Sequence, residues 1–184
     1  MWGSRIERSL PLMPYHSQRF IGLLEERSFV REKFNIIVIL IVISFLVHFV
    51  WEMWQIPFYR GMVVAEHWSA VVICSQAAIG DGIIAVAAYS IAALTAKDFQ
   101  WLRLRVGVPH LFYLLIGLVI TAIFEVAATG VLDRWQYSDM MPTLPVIEIG
   151  LIPLLQWLLI PPVVLWSTAV FLRGLTPIPQ RSAG

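Results

Sequence analysis

A chain of 184 residues with 59% hydrophobic and only 14% charged side chains lies far from the roughly 25% charged residues of an ordinary soluble domain. Its formal net charge of +1 offers no basic face to neutralise phosphates, which excludes a nucleic-acid binder. The single cysteine, Cys74, excludes an intramolecular disulfide and a thiolate metal cluster, and it reads as a small buried hydrophobe.

In chain order, Met1–His16 reads as a disordered N-terminus. Over Ser17–Phe34 the apolar residues Phe20, Leu23, Leu24, Val30 and Phe34 share one side of a helical wheel, while Gln18, Glu25, Glu32 and Lys33 take the other. That pattern predicts an amphipathic helix on the membrane surface, the alternative being a solvated helix docked on the bundle. Four apolar segments follow, at Asn35–Trp54, His67–Ala96, Val108–Leu132 and Leu144–Arg173. Each is long enough to cross a bilayer, which takes about 20 helical residues. The first starts too late and lacks the small-residue site of a cleaved signal peptide. The expected architecture is all-α: a polytopic membrane four-helix bundle over residues 35–173, preceded by the surface helix at 17–34 and followed by a tail at 174–184. Eleven of the thirteen Lys and Arg fall in the N-terminal segment, the loop after the second span and the tail, leaving Arg60 and Arg134 for the other two loops. The positive-inside rule then places both termini in the cytoplasm, as in a bacterial inner (plasma) membrane protein.

Polar residues inside these spans carry the functional signal, because a charge at the bilayer centre costs ~3 kcal/mol on insertion scales. Ser44, His48, Trp51, Glu52 and Gln55 fall at i, i+4, i+7, i+8 and i+11, which is one helical stripe. Gly117, Thr121, Glu125 and the Ala128/Thr129 pair form another, and Glu148 and Gln156 share nearly one face of the last span. Asp81 stands between glycines in "IGDGI", where small neighbours invite close approach by another helix. At about 1.5 Å per residue, His48, Glu52, Asp81 and Glu125 lie roughly 20–26 Å along their spans. These groups are expected to share one polar cavity in the outer half of the bundle. The prolines of "PLLQWLLIPP" predict a bent last helix around a wet or ligand-filled space; Pro145 reads instead as punctuation at a helix end. His67 with Trp68, and His110 beside Pro109, read as interfacial. Trp135 and Tyr137 in "DRWQYSDMMP" read as part of an aromatic belt, with a lid over the cavity as the alternative.

Several chemistries lack their residues. Bis-histidine haem needs a second deep histidine, and a di-iron bundle needs Glu-x-x-His pairs. No Walker motif, dinucleotide fingerprint or Gly-x-Ser-x-Gly elbow occurs. No cofactor is expected, and a mononuclear metal site at His48, Glu52, Asp81 and Glu125 has no spacing signature.

"HFVWEMW" (His48–Trp54) and "WLLIPPVVL" (Trp157–Leu165) resemble the EXPERA group of four-helix membrane modules, the emopamil-binding-protein type of sterol isomerase. The first is similar to that family's His-x-x-x-Glu element followed by Trp, the second to its Trp-Leu-x-x-Pro segment in the last helix. The resemblance implies that Gln76 or Asp81 takes the place of an acidic residue in the second helix. The family's last-helix asparagine falls here on Leu154, and an extra helix before the His-x-x-x-Glu helix corresponds to Ser17–Phe34.

Two functions are compatible with this reading. In the first, the bundle is an isomerase that moves a carbon–carbon double bond in a polycyclic or isoprenoid lipid by proton shuttling. Glu52 or Asp81 is then the acid and Glu125 or His48 the base, while the face of Trp157 stabilises the intermediate cation. Trp51, Gln76, Thr121, Glu148, Gln156 and Trp157 line the site of this hydrophobic molecule. In the second, the chain is a non-catalytic lipid- or ion-binding carrier, sensor or accessory subunit. Membrane lipids are the expected partners in both, alongside a homo-oligomer or a larger membrane complex.

Overall fold

The computed structural model describes residues 15–103, 106–145 and 148–175. All regular elements among them are helical: α1 (Tyr15–Trp54), α2 (His67–Ala96), α3 (Val108–Val126) and α4 (Leu151–Gly174). Short 3-10 turns follow α1 at Ile56–Phe58 and α2 at Trp101–Arg103, and α3 continues into a π-helical turn at Ala127–Val131. Four segments are long and apolar enough to cross a membrane, Phe29–Trp54, His67–Ala96, Val108–Val131 and Leu151–Gly174. That make-up is compatible with a multi-pass integral membrane protein.

The chain divides into two units, one up to Phe34 and one from Asn35. In the first, helix α1 starts at Tyr15. Val30 and Phe34 from its expected apolar side are exposed, and Phe20, Leu23 and Leu24 lie outside the described side chains. Most of the segment expected to be a disordered N-terminus, and nearly all of the tail, likewise lie outside the described residues.

In the second unit α1 and α3 each bury one stripe at four-residue spacing. On α1 it is Ile36, Leu40, Ser44 and His48; on α3 it is Tyr113, Gly117, Thr121 and Glu125. Both stripes pass from apolar to polar along the helix, so the interior is greasy at one end and polar at the other. The α2 stripe is mainly small, with Ala70, Cys74, Ala78, Ala85, Ala88 and Ala92 buried around Asp81. Small residues let helices without a hydrophobic drive between them approach closely. Outward positions such as Val50, Ile83, Val119 and Trp166 remain exposed, as a lipid-facing surface requires.

At the greasy end Trp101 and Leu102, from the turn after α2, are buried. The Trp101 ring stacks on Tyr89 at 4.8 Å and meets His110 edge-on at 4.8 Å, and Tyr89 donates to the Phe99 carbonyl at 2.7 Å. His110, read as interfacial, therefore packs against this aromatic group. At the polar end the loops after α1 and α3 pair. Tyr59 and Tyr137 form an antiparallel bridge, the Arg60 amide donates to the Gln136 carbonyl at 2.9 Å, and Ser138 N–H donates to the Phe58 carbonyl at 3.0 Å.

Helix α4 begins at Leu151, later than the Leu144 expected from hydropathy. Thr143 and Leu144 instead pair with Gly150 and Ile149. Thr143 bridges Gly150, the Leu144 amide donates to the Ile149 carbonyl, and Glu148 takes a positive φ of 50°. Pro153 sits in the first turn, where its missing N–H has no partner to lose. The helix runs without interruption through Pro161 and Pro162, with Pro161 buried and Pro162 facing out.

Glu66 caps α2, its exposed carboxylate accepting from the Ser69 amide at 3.0 Å. Backbone N–H groups of Trp68 and then Ser69 hold its carboxyl below the ordinary glutamate value. A depressed folded value stabilises the helix start above the unfolded pKa and loses that effect as pH falls through the folded one. Glu66→Ala is therefore expected to increase amide hydrogen exchange over Trp68–Ala70 at neutral pH. At a pH below the Glu66 pKa, wild type and variant should exchange alike.

Candidate functional site

Three helices converge through one amide. Gln156 Nε2 on α4 lies 2.8 Å from His48 Nδ1 and 3.1 Å from Glu52 Oε1 on α1, and 3.0 Å from Asp81 Oδ2 on α2. His48 Nδ1 and Asp81 Oδ2 face each other at 3.2 Å. Trp157, one residue on, donates its indole N–H to the other Asp81 oxygen at 3.0 Å. His48 is 1%, Gln156 2% and Asp81 9% exposed; Glu52 is half-buried and so the most open member.

Local sequence explains the convergence. His48 and Glu52 are one turn apart and project the same way from α1. Trp157 can reach Asp81 because Gly117 leaves room. A Cβ at Gly117 would overlap the Trp157 Cζ3 and Cε3 atoms, whereas one at Gly80 or Gly82 would meet nothing within 4 Å. The close approach expected beside Asp81 thus occurs on α3 instead. The Trp157 ring is enclosed, resting on Gly117 and lying 5.4 Å from the His48 ring.

Glu125 forms a second group at the end of α3. Its Oε2 accepts from the Tyr137 hydroxyl and, at 3.4 Å, from the Trp135 indole. The expected belt residues Trp135 and Tyr137 therefore turn inward. Tyr59 packs on both, with ring centroids 6.4 and 5.9 Å away. Burial, then the charges of Glu125 and Glu52, push the Tyr59 phenol far above its ordinary value, so it stays protonated. Burial and the bond to Glu125 raise Tyr137 in the same direction. Glu125 lies within electrostatic reach of Glu52 and Asp81, so the two groups form one charged region.

Of the remaining expected site residues, Thr121 is buried with a hydroxyl that has no protein hydrogen-bond partner. Trp51 donates to Gln55 at 3.1 Å. Gln76 is exposed on another face of α2, and Glu148 is exposed in the loop before α4, so neither joins the cluster. The polar groups expected to surround a cavity are in direct contact with one another. Among the described residues no group of three or more His, Cys, Asp and Glu has a metal-holding geometry. Sequence reasoning missed Tyr59 as a site residue; Gly117 it placed on the right stripe without its role.

Fold and site together describe an all-helical chain compatible with a multi-pass membrane protein, with an imidazole, an amide and three carboxyls gathered at one end of its bundle. No protein-family profile, curated protein or solved structure matches the chain.

Proposed function

We propose that this is a membrane-embedded proton-transfer enzyme, an EXPERA-type isomerase that moves a carbon–carbon double bond in an isoprenoid or polycyclic lipid. The observation that carries this reading is the contact of His48, Glu52 and Asp81 around one amide inside an apolar bundle. Such a site holds an acid and a base within reach of one hydrophobic molecule. Protonation breaks a carboxyl O–H bond and forms a C–H bond on one alkene carbon, leaving a cation on its neighbour. Loss of a proton from the carbon beyond regenerates a double bond one position along, and that proton returns to the protein. No oxidant or cofactor is consumed. Because the Trp157 ring is occupied by Gly117 and His48, the Asp81 and Glu125 carboxylates take the larger part in balancing the cation.

An apolar groove of about 400 Å³ between α1 and α2, lined by Ile41, Phe45, Ala78, Ile79, Gly82 and Ile83, supports a lipid substrate. Its lining includes Gly82, the neighbour of Asp81 in sequence. On this reading the termini are cytoplasmic and the site lies in the outer half of a bacterial inner membrane, an orientation that the Lys and Arg bias supports.

The non-catalytic reading rests on a different observation: Gln156 Nε2 joins side chains of α1 and α2 to α4, as a helix lock requires. Deuterium separates the two. Protein in detergent with the lipid extract of its host membrane, incubated in deuterium oxide, is expected to introduce carbon-bound deuterium into an isoprenoid or polycyclic lipid. Glu52→Gln should reduce that incorporation at least ~100-fold, the low end of general acid–base contributions. Undiminished incorporation in Glu52→Gln, or none in wild type, would exclude the isomerase in favour of a carrier or accessory subunit.

A further inference from the structure

The imidazole and carboxyl in closest contact belong to the same two helices as the apolar groove. His48 on α1 faces Asp81 on α2 at 3.2 Å, and one turn further along α1 the Glu52 carbonyl accepts from the Cys74 thiol at 3.5 Å. Numbers rising on α1 meet numbers falling on α2, so the two helices are antiparallel along this seam. From the level of the His48–Asp81 pair, Phe45 and Ile41 lie about 4.5 and 10.5 Å back along α1. Gly82 and Val86 lie about 1.5 and 7.5 Å along α2 in the same direction. All four line the groove, and Ala78 continues it about 4.5 Å past the pair on the other side. The groove therefore runs alongside the pair and on toward the greasy end of the bundle.

Its walls are selective in three ways. About 400 Å³ spread over the roughly 13 Å from Ala78 to Ala87 leaves about 30 Å² of cross-section. That is room for one hydrocarbon chain with carbon contacts at about 3.5–4.0 Å on its sides. No lining residue has a charged or hydrogen-bonding side chain, so the walls complement a stretch of pure hydrocarbon and offer no polar anchor to fix its register. Gly82 is buried, yet a Cβ built on it would meet nothing within 4 Å, which leaves a notch one turn from Ala78 and one turn from Val86. A fused-ring lipid has few alkenes to present and would need a polar anchor to place one. An unbranched acyl chain has nothing to put in a notch. A linear isoprenoid repeats an alkene and a methyl branch in every unit, so each shift by one unit again sets an alkene beside the pair and a branch over Gly82.

We infer that the groove between α1 and α2 binds a single linear isoprenoid chain alongside the His48–Asp81 pair, and that Gly82 is the specificity-determining residue that admits its methyl branches. The choice of an alkene-bearing chain rests on the double-bond isomerase reading, and it narrows the substrate to the linear class and sets the polycyclic one aside. Its test needs no turnover.

Photolabelling of the detergent-purified full chain with diazirine-bearing geranylgeraniol, read by peptide mass spectrometry, tests it. Label is expected on Ile41, Phe45, Ile79 or Ile83. Unlabelled geranylgeraniol should displace it at least about tenfold more effectively than cholesterol or dioleoyl phosphatidylglycerol, the low end of discrimination by a hydrophobic pocket. Gly82→Leu fills the notch while improving helix propensity, and should lower the label at least about tenfold. Gly80→Leu is the control: a Cβ there also meets nothing within 4 Å, but Gly80 is outside the groove lining, so the label should stay. Equal displacement by cholesterol assigns the groove to polycyclic lipids and overturns the inference. Equal displacement by the phospholipid makes it a seam filled by bulk lipid, which overturns it too. So does label in the second apolar groove, between α3 and α4, at Leu118 or Leu155. Label unchanged in Gly82→Leu, or lost equally in both glycine variants, removes the role of Gly82. The competition is read on the wild-type chain, so a poorly folded variant does not block the result. The expected label without any carbon-bound deuterium in lipid would sink the enzyme and leave an isoprenoid-binding site. Deuterium in a polycyclic lipid would do the reverse.

Discussion

Gly117→Ala is expected to destabilise the protein by about 3 kcal/mol, although on propensity alone it should help. Alanine is up to ~1 kcal/mol better than glycine inside a helix, so a net loss must come from packing. The added methyl would occupy the space of Trp157 Cζ3 and Cε3, and Cη2 would stand at 3.2 Å. Trp157 is fully buried, with no open side to swing into. Overpacking costs typically 1–3 kcal/mol, and moving the indole also breaks its bond to Asp81, at about 1.5–3 kcal/mol for a bond to a charged group. Both losses exceed the propensity gain. Denaturant titration in a fixed detergent, followed by tryptophan fluorescence, measures the difference. Gly117→Ala/Trp157→Phe should recover the steric part and leave the lost hydrogen bond unrecovered. A single variant as stable as wild type would show that the ring slides freely and that Gly117 does not position Asp81.

Removal of Asp81 should have the largest effect of any single truncation in the bundle. Asp81→Ala leaves the Trp157 indole without its acceptor and takes from Gln156 and His48 the oxygen they share. Hydrogen bonds between membrane helices average only ~0.6 kcal/mol in double-mutant cycles, which for three contacts gives about 2 kcal/mol. Breaking a buried charged network by removing one partner costs 3–5 kcal/mol, because the remaining groups are left uncompensated. The orphaned donors decide between these figures, and a loss of roughly 3–5 kcal/mol is expected. The contrasting variant is His48→Leu/Glu52→Leu/Asp81→Leu/Gln156→Leu/Trp157→Phe, which removes the network together with its unmet demands. Its stability should lie above that of Asp81→Ala while the site chemistry is abolished. The reverse order in the same titration would mean that the network is the main structural tie of the bundle.

How far the sequence anticipated this arrangement depended on the kind of signal. Long apolar runs ending at charged or turn residues located α2 at His67–Ala96, the end of α1 at Trp54 and the start of α3 at Val108. Hydropathy missed the start of α4, because the residues before it are as apolar as a span while Thr143 and Leu144 pair with Gly150 and Ile149. Glu148 was drawn into the site by that error and, on a positive-φ turn, lies outside it. His48, Glu52, Asp81 and Gln156 were legible because polar side chains in lipid must find one another. Gln76 was not separable from Asp81 by type, but five helical residues place it well around the helix from that carboxylate. Trp135, Tyr137 and Tyr59 sit in loops with no period to read, and only tertiary pairing of the two loops carries them to Glu125.

The position of Gln156 and Trp157 in the last helix has a consequence for biogenesis. During synthesis α1 and α2 leave the ribosome carrying His48, Glu52 and Asp81, well before either residue that completes their hydrogen bonds exists. Until α4 is made, the hairpin of α1 and α2 has an unquenched acid and imidazole in lipid, the kind of segment that lingers at the insertion machinery or is returned to it. The C-terminal helix is therefore the one that commits the nascent chain to the bilayer. A message truncated just before Gln156 encodes the first three candidate spans and a substrate for membrane proteolysis.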